Sequence, residues 1–240
     1  MRVEISKVLL AVLVTILAGG AGADAEKGVA ALEKGDYKTA LKELNADAKK
    51  GDADAMFMLS RLYAEGKGVK EDRKLAFQWM ERAAKTGSVR AQGTLAMYFS
   101  EGIGVAKDDA KSLELGRRAA DGGDLISQFI MGMRYNNAVG VIRDTEQASL
   151  WWSKAAERGM VRAQVMLAGL LTQKAAAPDA KPEQAGADRV EAAKWLILSD
   201  SARLSGMENA LTSIKEKMSP EEIGAAEDRA RDWRPSGAAK

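Results

Sequence analysis

Apolar and small side chains recur in this chain with a period of 36 residues. Ala55, Ala91, Ser127 and Ala163 fall one period apart, followed four positions later by Leu59, Leu95, Met131 and Leu167. Four positions beyond those stand Tyr63, Phe99, Tyr135 and Leu171. Spacings of four and eight place these residues on one face of a helix. The helix then meets the loops GKGVKED, GIGVAKD and AVGVIRD, in which Gly68, Gly104 and Gly140 are in register. Glycine admits the positive φ of a tight turn, and Asp72, Asp108 and Asp144 then suit the N-cap of a second helix. In the first full unit that second helix carries Leu75, Ala76, Trp79, Met80, Ala83 and Ala84 on one stripe. Trp79 recurs as Leu115 and Trp151, and each unit ends in paired alanines before Gly87, Gly123 or Gly159. A helix pair of this size cannot bury its apolar stripe alone and must stack on its neighbours.

The ends vary the same theme. Residues 26–33 and the stretch EKGDYKTALKELNADAKKGD predict an N-terminal helix pair within 24–52. Three full units and the first helix of a fourth occupy 53–173. Trp195 follows Trp151 by 44 residues, so an Ala/Pro-rich insertion, 174–187, is expected as an exposed loop, with Asp188 capping the next helix. The C-terminal helices, including one started by Ser219 and Pro220, fill 188–234, and 235–240 is expected to be a loose tail.

The pattern resembles Sel1-like repeats, relatives of the tetratricopeptide repeat, over residues 53–162 most clearly. Two positions depart from it: Ala138 stands where the first loop glycine is expected, and Leu115 where tryptophan is. The resemblance implies an all-α, right-handed α-solenoid whose first helices line a concave groove. It places Phe57, Arg61, Met97, Phe129, Met133 and Asn136 in that groove as the partner-binding residues. Tyr63, Gly68, Trp79, Gly104, Gly140 and Trp151 are the structural repeat positions. The implied function is a non-enzymatic scaffold that binds an envelope protein or peptide, in signalling or in exopolysaccharide and envelope assembly. A glycan or peptidoglycan-fragment module is the alternative, with Trp152 as its stacking platform.

Composition narrows the chemistry. The chain has no histidine and no cysteine, which removes thiol nucleophiles, disulfides, zinc-type sites and histidine bases. With 36 basic and 34 acidic residues interspersed, it lacks the basic face of a nucleic-acid binder. No cofactor or metal is expected. Catalysis would rest on a carboxylate pair, for which Glu65 and Glu101, in register one unit apart, are the remote candidates for hydrolysis. The third unit has Asn137 there, and the expectation is that the protein is not an enzyme.

Residues 1–23 predict a signal peptide. Arg2 and Lys7 precede the apolar run VLLAVLVTILA, too short for the ~20 residues that span a bilayer. Ala21-Gly22-Ala23 fits a cleavage site, so the expected mature chain starts at Asp24 in the periplasm or outside the cell, without a stable membrane anchor.

Overall fold

The computed structural model describes residues 25–200 and 206–236, so the segment predicted as a signal peptide lies outside the described residues. Among the described residues every regular element is a helix. In order these are α1 Glu26–Glu33, α2 Tyr37–Lys49, α3 Ala53–Glu65, α4 Arg73–Lys85, α5 Val89–Glu101 and α6 Asp109–Asp121. There follow α7 Leu125–Asn137, α8 Thr145–Glu157, α9 Val161–Ala175, α10 Pro182–Asp200, α11 Met207–Lys215 and α12 Pro220–Asp232. The chain divides into two compact units, Met1–Leu115 and Gly116–Lys240, the division falling inside α6. In the first unit the successive helices α1 to α5 pack on one another, in the second α7 to α11 do so, and α12 packs on α10. Each unit is thus a stack of helical hairpins, the α-solenoid architecture that the repeat implies.

The caps show why the period is so regular. Asp72 and Asp108 accept the N–H of Leu75 and of Lys111, both at 2.9 Å. Asp144 accepts those of Glu146 and Gln147 at 3.0 and 2.9 Å. Asp36, one further period upstream, accepts from Thr39 at 3.1 Å, which brings α2 into register as the second helix of an N-terminal unit. The first helices have their own set: Asp52, Ser88 and Asp124 accept from Ala55, Ala91 and Ser127. Met160 occupies that position before α9, which has no side-chain cap.

Each hairpin loop is closed by a backbone bond. The N–H of Asp72, Asp108 and Asp144 donates to the carbonyl of Tyr63, Phe99 and Tyr135, at 2.9 to 3.0 Å. The capping aspartate therefore holds the loop shut from its main chain while it starts the next helix with its side chain. Gly66 and Gly102 end the first helices in the left-handed conformation. Ala138 does the same at φ 56°, the only non-glycine with positive φ among the described residues. An L-residue there costs roughly 1–2 kcal/mol, against about 0.5–1 kcal/mol of extra chain entropy for glycine. Ala138→Gly is therefore expected to stabilise the second unit by about 0.5–1 kcal/mol, read as a rise in the urea midpoint.

The aspartate caps also set an acid dependence. Asp108 is held below the ordinary carboxylate pKa, first by the backbone N–H of Lys111, and Asp36 is held down first by Thr39. A carboxyl whose folded pKa is depressed contributes stability above its unfolded pKa and loses it as pH falls through the folded value. The denaturation midpoint is expected to drop on acidification below about pH 4. Asp108→Ser, which caps without titrating, flattens that profile if the cap is its source.

The cores form from the expected positions. Leu59, Met80 and Met131 are at most 1% exposed, and Trp151 is 3% exposed. Tyr63 and Trp79 pack against the first core as partly buried residues. Cations lie over the repeated tryptophans, Arg82 over Trp79 at 4.4 Å and Lys154 over Trp151 at 4.1 Å. A buried glutamine completes the paired-alanine turn: the Nε2 groups of Gln128 and Gln164 donate to Ala120 and Ala156 at 3.1 and 3.2 Å.

The insertion differs from its expectation. α9 runs on to Ala175 and α10 begins at Pro182, leaving a connection of only 176–181. Proline suits the first turn of a helix, and the alanine-rich residues behind it favour helix. Asp188 is consequently no cap; it is buried inside α10, accepting from Gln184 at 2.9 Å. The start of the expected tail is also docked. The N–H of Ser236 donates to the Glu157 carbonyl at 2.7 Å, Pro235 lies 3.7 Å from the Cβ position of Gly159, and the Trp233 indole donates to Glu157 Oε2 at 3.1 Å.

Candidate functional site

The predicted groove residues fall into two sets, Phe57, Arg61 and Met97 in the first unit and Phe129, Met133 and Asn136 in the second. In the first unit Phe57 is core. It is 1% exposed, and the guanidinium of Arg90, from α5, lies 4.5 Å above its ring. The expectation that it contacts a partner is corrected: the next first helix covers it.

Arg61 is engaged within its own helix. It reaches Glu65 Oε1 at 3.2 Å, while Lys67 holds Glu65 Oε2 at 2.6 Å. Burial tends to raise the Glu65 pKa, but Lys67 and Arg61 together bring it below the ordinary value. A carboxylate stabilised in its charged form is a poor general acid at neutral pH, and Glu101 is exposed. The carboxylate-pair reading thus finds no support in the geometry. Beneath Arg61, Ser60 Oγ donates to the Ala76 carbonyl at 2.7 Å and lies 3.0 Å from the Tyr98 hydroxyl, which joins α3, α4 and α5. Burial raises the pKa of Tyr98. Met97 is half-buried.

The second unit presents a different surface. Phe129 and Met133, four residues apart on α7, are half-buried and rest on the core. On α9 the matching positions are Val165, half-buried, and Gly169, exposed with open space where its Cβ would stand. Met166 beside them is 38% exposed. Asn136 donates through Nδ2 to Asn137 Oδ1 at 2.9 Å, at the end of the same helix. This face combines a Phe and a Met, supported from below, with small or flexible neighbours. Methionine adapts its shape readily, which suits an apolar contact with another chain.

Trp152 does not serve as a stacking platform. It is 2% exposed, its ring fills the space left by Gly132, and its Nε1–H donates to the Phe129 carbonyl at 3.2 Å. The correction has a simple cause: α8 packs against both α7 and α9, so neighbouring positions on it are both covered. Sequence reasoning also missed Arg90, and an arginine in that register is not a sufficient signal, because Arg162 follows Phe129 in the same way and Phe129 is half-buried.

Among the described residues, no cluster of three or more acidic side chains is placed to hold a metal ion. None of the described helices is long and apolar enough to cross a membrane.

Comparison with known proteins agrees with this architecture. The Sel1 repeat matches the chain three times, at residues 53–88, 89–124 and 125–160. A Sel1 repeat protein from Oxalobacter formigenes has a similar crystal structure, with TM-score 0.69 and 21% identity over 88% of this chain and 83% of that one. A protective antigen present in uropathogenic Escherichia coli strains, displaying an SLR fold, gives TM-score 0.65 and 26% identity. That match covers 85% of this chain and 44% of the antigen. No curated protein matches the sequence. Repeats of this kind generally mediate protein–protein interaction, typically without catalysis.

Proposed function

We propose that this chain is a protein-interaction scaffold of the cell envelope, exported by its N-terminal segment. The apolar face of the second unit, centred on Phe129 and Met133, holds the partner. The observation that carries the reading is the contrast between the two units. In the first unit Phe57 is buried under Arg90 and Arg61 is paired with Glu65, which leaves Met97 alone of the three half-buried and without an apolar neighbour from the same set. In the second unit Phe129 and Met133 are half-buried beside the open backbone of Gly169. A surface built this way gains from covering apolar area and breaks no internal ion pair in doing so. The partner is an envelope protein or peptide, which ties the scaffold to signalling or to assembly of exopolysaccharide and other envelope components. With Trp152 buried, the stacking platform expected for a glycan is not offered by that residue.

A photo-crosslinking residue at Met133 tests this in cells. One dominant envelope protein is expected in the adducts, lost in Phe129→Asp while the circular dichroism of the purified variant stays helical. Absence of any protein adduct from a folded, exported chain overturns the reading. N-terminal sequencing of the mature protein is expected to begin at Asp24; a chain recovered with Met1 in place removes the envelope from the proposal.

A further inference from the structure

The edge of the second unit carries a depression that the first-helix face does not include. It is an open hollow of about 350 Å³ lined by Arg143, Thr145, Leu170, Gln173, Lys174 and Ala177. Its origin is visible in the repeat register. The helices α3, α5 and α7 are 13 residues long and end at Gly66, Gly102 and Ala138 in the left-handed conformation. The residue of α9 in that register is Lys174, and here the helix does not turn off; it continues to Ala175, 15 residues in all. The two added residues, Lys174 and Ala175, carry the helix past the point where its counterparts stop, and Lys174 lines the hollow with Gln173 and the buried Leu170.

That loop is chemically unlike its counterparts. Ile142 is 90% exposed and Val139 53% exposed. Their register positions hold Lys70 and Lys67 in one unit, and Ala106 and Ile103 in the other, where Ile103 is packed against the core. Ile142 thus stands almost wholly in water directly before Arg143, a cation that lines the hollow. The hollow offers an apolar floor at Leu170, two cations, and the amide of Gln173 and hydroxyl of Thr145 as hydrogen-bonding groups, with the exposed Ile142 next in sequence to its Arg143.

Its charge already has an occupant in kind. Lys174 Nζ holds Glu146 Oε1 at 2.7 Å, and the Glu146 side chain is 75% exposed. An ion pair so open to water contributes little and exchanges readily. The geometry points to this hollow as a docking site for an acidic peptide segment with an apolar side chain. The apolar residue sits over Leu170 against Ile142, and flanking carboxylates engage Arg143 and Lys174 in place of Glu146. The site is independent of the Phe129 face.

Fluorescence anisotropy on the full chain tests it. The probe is a labelled twelve-residue peptide with a Leu-Phe pair flanked by glutamates, and its twins carry lysines for the glutamates or serines for the apolar pair. The acidic apolar peptide is expected to bind at least about tenfold tighter than either twin. Arg143→Glu is expected to cost about tenfold, and Ile142→Ser a few-fold. Glu146→Gln, which releases Lys174, is expected to tighten binding about twofold, an effect that loss of structure cannot imitate. All three positions lie on the surface, and Phe129→Asp is expected to leave this binding intact. Equal binding of the three peptides, or binding indifferent to Arg143→Glu and Ile142→Ser, overturns the proposal. So does an absence of peptide binding alongside Ile142-dependent binding to phosphatidylglycerol vesicles, which would make the loop a lipid contact.

Discussion

Gly104→Ala is expected to destabilise the first unit by about 3 kcal/mol or more, whereas Gly140→Ala at the same repeat position costs only about 1–2 kcal/mol. Both glycines have φ near +70°, so an alanine pays the left-handed penalty at each. They differ in what the new methyl meets. At Gly104 it would stand 1.9 Å from the carbonyl oxygen of Arg73 and 3.0 Å from Phe77 Cβ, at the start of α4. Backbone cannot swing aside as a side chain can, so the loop must lift off the preceding second helix. At Gly140 the nearest group is the guanidinium of Arg134, 3.4 Å away at the end of a flexible chain. Gly68 resembles Gly104, its Cβ position lying 2.3 Å from Tyr37 Cβ at the start of α2. The loop glycine therefore does more than turn the chain: in the first unit it lets each hairpin loop touch the preceding second helix. Urea denaturation of the two variants, followed at 222 nm, decides the matter. Equal losses would show that the turn conformation alone explains the glycine.

This distinction marks the limit of what the sequence discloses. Period, helix order, the caps at Asp72, Asp108 and Asp144 and the need for a turn at Gly104 are local properties, each written in a few neighbouring residues. What covers a given face is not local. Phe57 and Phe129 occupy the same position two periods apart, and Arg90 and Arg162 follow them in the same register. Yet Phe57 is buried with Arg90 over its ring, while Phe129 is half-buried and Arg162 exposed. Trp151 and Trp152 are adjacent, and one repeat position supplied a core role for only the first of them. Whether the other faced water depended on α7 and α9 together. The insertion was misread for a different reason: two prolines suggested a loop, although Pro182 stands where a helix tolerates it, ahead of helix-favouring residues. The hollow at Lys174 lay outside sequence reach because it arises from a helix that fails to stop.

Trp152→Ala is expected to cost the second unit about 3–5 kcal/mol, the range for removing a fully buried aromatic side chain. The loss has two parts. The vacated space lies against Gly132, which has no side chain to collapse into it, and the Phe129 carbonyl loses the indole as its second donor. The fit is reciprocal. A Cβ at residue 132 would stand 2.4 Å from Trp152 Cδ1 and Nε1, so Gly132→Ser alone is expected to cost about 1–3 kcal/mol by overpacking. Two periods upstream the same two positions hold Ser60 and Met80, both fully buried. There the serine hydroxyl donates to the Ala76 carbonyl, whose register equivalent is Ala148. The pair Gly132→Ser with Trp152→Met thus transplants a combination the chain already uses, with a ready acceptor for the new hydroxyl. The double variant is expected to be more stable than the sum of its single losses by at least about 1 kcal/mol, measured as a double-mutant cycle in urea. Strict additivity would mean that the repeat's backbone, rather than the match of large against small at these two positions, sets the spacing between α7 and α8. A positive coupling would mean that each hairpin is keyed by its own pair. It would also bear on Phe129, because the same tryptophan that fills Gly132 is hydrogen-bonded to the backbone of that residue and so holds the proposed contact face in place.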